Sequence, residues 1–76
     1  SNAMAAPRVV AKGLDAHALR IREIATEYGV PIVSEPPLAR FLYRKVKVGR
    51  SVPGEAFEAV AKVLAHVYQL RRSRRV

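Results

Sequence analysis

The chain has no cysteine and no tryptophan. Without thiols, neither a disulfide framework nor a thiolate zinc site is available. No apolar run approaches the ~20 residues that span a bilayer as a helix. Nothing near the start has the layout of a signal peptide, so the default expectation is a soluble cytoplasmic fragment. Acidic residues are scarce, 6 against 14 Lys and Arg, for a formal net charge of +8. An excess of that size raises nucleic acid as a ligand. Its distribution weakens the idea: Arg71, Arg72, Arg74 and Arg75 supply four of the eight charges. The other charges lie on segments that also carry Glu23, Glu27, Glu55 and Glu58. A basic tail binds phosphate or anionic lipid without sequence preference, so a small basic nucleic-acid-binding domain stands as the alternative function.

What remains is one small domain. Half of the 76 residues are apolar, which favours folding over disorder. A chain of this size buries only about 60% of its unfolded surface, so its core is marginal. Residues 1–3, Ser-Asn-Ala, read as an expression scar, 4–70 as the domain and 71–76 as a basic tail.

Val9-Val10-Ala11 is a short β-branched run closed by Lys12-Gly13, the pattern of a strand ending in a turn. Asp15 is then placed to cap a helix. Ala18, Ile21, Ala25 and Tyr28, with Leu14 and Ile24, give that helix one apolar face. Gly29 stops it and Pro31 follows. Val30–Ser34 reads as a second strand, which makes strand, helix, strand a βαβ unit with parallel strands. Pro36 forces Glu35 to be extended, and Pro37 suits the first turn of a helix. Leu38, Phe41 and Leu42 share the apolar side of that helix, and Val46-Lys47-Val48 alternates like a brief extended piece. A last helix opens near Val52-Pro53-Gly54-Glu55. Phe57, Val60, Ala61, Leu64, Val67 and Tyr68 form its stripe, widened by Val63 and Leu70. Glu58, Lys62, His66 and Gln69 form its wet side. The expected fold class is α/β: a small βαβ unit packed by about three helices. Two parallel strands do not make a stable sheet by themselves, so an exposed strand edge is expected, and with it a homo-oligomer paired through that edge.

Catalytic patterns are missing. His17 and His66 have no local carboxylate partner, and Lys12-Gly13 lacks the glycine spacing of a phosphate loop. Ser34, Ser51 and Ser73 sit in no nucleophile elbow or triad context. No metal ligands, cofactor or enzyme activity are expected.

Taken together, "APRVVAKG", "ALRIREIA", "VPIV", "PPLARFLYR" and "EAFEAVAKVLAHVYQL" resemble, in order and spacing, the C-terminal cytoplasmic domain of the type III export switch proteins. These are FlhB of flagella and its injectisome counterparts. The resemblance runs from about Met4 to Leu70. It implies a non-catalytic module at the inner-membrane export gate, docking rod- and hook-type export substrates and gate proteins. It also implies that this chain holds an incomplete version of the family's sheet. The Asn-Pro-Thr-His self-cleavage loop of the family does not occur in the sequence, so no self-cleavage is expected. By matching motif, the substrate patch falls on Ala6, Pro7, Ala61 and Leu64, although Ala61 and Leu64 read equally well as core positions of the stripe. Arg40, Arg44, Lys45 and Lys47 form a candidate basic surface for an acidic partner, with a solvated helix side as the plain alternative.

Overall fold

The computed structural model describes residues 6–74. It contains α1 (Asp15–Glu27), α2 (Pro36–Lys45) and α3 (Phe57–Arg74), the last entered through a single 3-10 turn at Gly54–Ala56. Among the described residues no helix is long and apolar enough to cross a membrane.

The expected α/β unit is not present. Among the described residues the β structure is one isolated antiparallel bridge, Arg8 to Ser51. The Val9 run does find a partner, but it is the turn after α2. Val52 N–H donates to Pro7 O at 2.8 Å, Val9 N–H to Arg50 O at 3.0 Å, and Gly49 N–H to Val9 O at 2.6 Å. The second run, Val30–Ser34, has no regular secondary structure. Its one backbone bond, Val30 N–H to Ala25 O, belongs to the end of α1. β-Branched residues favour an extended chain, but a strand exists only where a neighbour supplies the ladder. Here the first run is engaged by residues 49–52, and the second meets no strand.

The helix boundaries follow local rules. Asp15 does not cap α1. Leu14 holds that position without a side-chain bond, and Asp15 is the first helical residue, at φ +49°. That left-handed value is one that Asp tolerates better than most residues. At the other end Gly29 has φ +70°, with Val30 N–H bonded to Ala25 O and Gly29 N–H to Thr26 O. These two bonds close a Schellman cap, the geometry that makes glycine the stop residue. Pro36 and Pro37 are the first two residues of α2, after Glu35 at φ −142° and ψ 77°, which is kept out of the helical region but stops short of the fully extended conformation expected. Neither N–H would have had a partner inside the helix, so their loss costs nothing there.

The core is small. Val52, Ala56 and Val60 are buried together, packed by the partly covered Val9, Leu38, Phe41 and Leu42. Val46 is buried as well. The expected side of α2 is therefore the one that packs. In α1, Ala18, Ile21 and Ala25 are half-buried and no residue is fully buried. Leu14 and Tyr28 stay exposed.

Candidate functional site: the outer stripe of α3

The stripe expected on the last helix divides between two rows, one of which also takes in Ala56 and Val63. Ala56 and Val60 are buried, and Val63 and Val67 half-buried, at spacings of four, three and four. This row faces the core. Phe57 (49% exposed), Ala61, Leu64 (48%) and Tyr68 (68%) form a second row facing solvent. At 3.6 residues per turn the two rows lie about 100° apart around the helix axis. The 3-10 turn delivers the helix onto Leu38, Phe41 and Leu42, and contact on one side covers only one arc of a helix. The outer row is left as an apolar strip beside the charged side, where Glu58 and Lys62 pair at 4.0 Å in full solvent.

The candidate patch residues sit as follows. Ala61 and Leu64 are both exposed, so they are not core positions. Ala6 is half-buried and Pro7 exposed. The Pro7 carbonyl, bonded to Val52 N–H, ties the N-terminal segment to the chain that feeds α3. Ala61, between Phe57 and Leu64, is the smallest side chain of the strip. The candidate basic residues Arg40, Arg44, Lys45 and Lys47 are all exposed. Arg44 and Lys45 fall in the last turn of α2, where the helix dipole favours cations. The ion pairs of the described residues, Arg20–Glu23 and Glu58–Lys62, do not involve them.

Lys12 has a role that its sequence position did not indicate. Its Nζ donates to Tyr43 O at 2.8 Å and Val46 O at 2.7 Å, and lies 5.3 Å from the centre of the Tyr43 ring. It thus satisfies carbonyls that the end of α2 leaves open. It also binds the N-terminal segment to that helix. The partners are 31 and 34 residues away in sequence, beyond the reach of any local pattern. Beside it, Val9, Ala11, Ala18, Ile21, Leu42 and Tyr43 contribute to an apolar cavity of about 290 Å³ between this segment, α1 and α2.

Comparison with known proteins identifies this arrangement. Residues 1–67 match the model of the FlhB HrpN YscU SpaS family. The flagellar biosynthetic protein FlhB of Salmonella typhimurium is 56% identical over 73 residues, covering 96% of this chain and 19% of that protein. The hypersensitivity response secretion protein HrcU of Ralstonia nicotianae is 52% identical over 67 residues, 88% of this chain and 18% of the relative. The chain therefore spans about a fifth of the length of these relatives. The crystal structure of the cytoplasmic domain of FlhB from Shewanella putrefaciens superposes with a TM-score of 0.91 at 52% identity, covering 93% of this chain and 59% of that one. The chain belongs to the FlhB HrpN YscU SpaS family.

Proposed function

We propose that this chain is a non-catalytic docking module of a flagellar or related type III export apparatus, working at the cytoplasmic face of the membrane. It holds apolar segments of export substrates on the outer stripe of α3. The observation that carries the reading is the exposure of Ala61 and Leu64 on a helix whose core contacts are already made by Val60 and its row. An apolar strip that the fold leaves uncovered suits a partner's side chains. The relatives, a flagellar biosynthetic protein and a hypersensitivity response secretion protein, support the setting. Pro7, fixed to Val52 at the base of α3, is the second anchor of the site. Arg40, Arg44, Lys45 and Lys47 form a separate basic surface suited to acidic regions of gate proteins.

The test is an amide chemical-shift titration of the labelled domain with peptides covering the N-terminal apolar segment of rod or hook subunits. A short DNA duplex is titrated in parallel at two salt concentrations. Shifts at Ala6, Ala61 and Leu64 with peptide are expected. Silence with peptide, together with salt-sensitive shifts around Arg71 and Arg72 with DNA, would overturn the reading in favour of a nucleic-acid module.

A further inference from the structure

The outer row of α3 does not end at Tyr68. Continued at helical spacing it reaches Arg71 and Arg72, which straddle the same line at ~100° per residue. Both are exposed. Neither is part of an ion pair among the described residues. Side chains on a helix lean toward its N-terminus, and Arg71 and Arg72 stand three and four residues beyond Tyr68, at the end of the apolar strip. The face therefore has a polarity. Phe57, Ala61, Leu64 and Tyr68 offer an apolar track, ~16 Å long at 1.5 Å rise per residue, and its C-terminal end is closed by two cations.

We infer that the segment this stripe accepts carries acidic residues at the end of its apolar stretch that lies over Arg71 and Arg72. This rests on the docking function proposed above and adds a selection rule to it: apolar side chains give the hold, and the acidic end sets direction and register. An anionic membrane surface fits the face less well. Glu55 and Glu58 lie in the first turns at the N-terminal end of the stripe and would meet lipid headgroups of their own sign. Small, exposed Ala61 stands between the larger Phe57 and Leu64, a row of uneven height that suits separate side chains better than a flat apolar layer.

The experiment uses synthetic peptides that share one apolar core, with Leu or Ile at positions i, i+4 and i+7. One carries Asp-Glu-Asp before the core, one carries it after, and one carries Lys-Lys-Lys at each of those places in turn. Affinity is measured by fluorescence anisotropy at 20 and 500 mM NaCl. Vesicles containing 30% phosphatidylserine and sedimentation of the free protein run alongside. One acidic peptide is expected to bind about tenfold tighter than its lysine counterpart at low salt, falling to about twofold at high salt, as exposed charge pairs are screened. Arg71→Glu/Arg72→Glu should invert that preference, and Arg71→Gln/Arg72→Gln should abolish it. An unchanged circular dichroism spectrum establishes that the variants fold. Equal binding of acidic and lysine peptides sinks the selection rule and leaves apolar docking standing. No binding of any peptide sinks the docking reading itself. Vesicle binding that these Arg variants abolish, or self-association through the stripe, would assign the face to lipid or to a second copy and overturn the inference.

Discussion

Lysine placed in turn at Val60 and at Leu64 separates the two rows of α3 by stability alone. Val60 is 9% exposed and packs in the core cluster, whereas Leu64 is half open to water. Val60→Lys loses the burial of a valine side chain, about 1.5–2 kcal/mol, and forces an ammonium group into a site with no acceptor. The second term is several kcal/mol even after relaxation. Native stability for a chain of this length is about 4–11 kcal/mol, so the variant should be largely unfolded or show a steeply lowered urea midpoint. Leu64→Lys forfeits about 1 kcal/mol of half-burial. The lysine stem covers much of the same surface while its head stays in water, so the net cost should be under about 1 kcal/mol. Urea unfolding followed at 222 nm reads both, and thermal melts serve as a check, since 1 kcal/mol moves Tm by about 4–8 °C in a domain this small. If Leu64→Lys unfolds the domain as Val60→Lys does, the outer row is part of the core and the docking stripe does not exist. If Leu64→Lys folds, it is also the variant that should lose apolar peptide binding.

Four further outcomes are expected. Lys12→Met should cost about 1–2 kcal/mol in urea unfolding, because charged hydrogen bonds to the Tyr43 and Val46 carbonyls are lost and one of the two is solvent-screened; no change would mean water replaces the ammonium group there. Gly13→Ala should cost about 1–3 kcal/mol, since a Cβ at Gly13 would lie 2.5 Å from His17 Cβ and the backbone must shift. Gly54→Ala, with nothing within 4 Å, should be neutral or stabilising by up to about 1 kcal/mol, and the melting temperatures of the pair should diverge accordingly. Amide hydrogen exchange should be faster along α1, which buries no residue fully, than around Val60; equal protection across both would contradict the placement of the core.

Much of this protein was legible in its residues, and what was legible is local. Gly29 ends α1 because a Schellman cap needs φ above zero at the residue just past the helix, three and four positions beyond the carbonyls it closes. Pro36-Pro37 starts α2 because two missing N–H groups are harmless only in a first turn. The apolar side of α2 follows from a 3.6-residue repeat, and family membership from motifs that keep their spacing along nearly the whole chain.

Tertiary structure decided the remainder. Val9-Val10-Ala11 was extended on its own account, yet whether it joined a parallel sheet or the turn at residues 49–52 depended on which backbone came beside it. The six apolar positions of α3 were equivalent by periodicity. Only the approach of Leu38, Phe41 and Leu42 buried Val60 and left Leu64 outside. Lys12 read as a turn residue until α2 brought two open carbonyls within 2.8 Å of its ammonium group. Conformational preference acts within about one turn of chain, whereas pairing and burial belong to two segments at once. The outer stripe of α3 is of the second kind: an apolar row whose exposure came from where the rest of the chain packed.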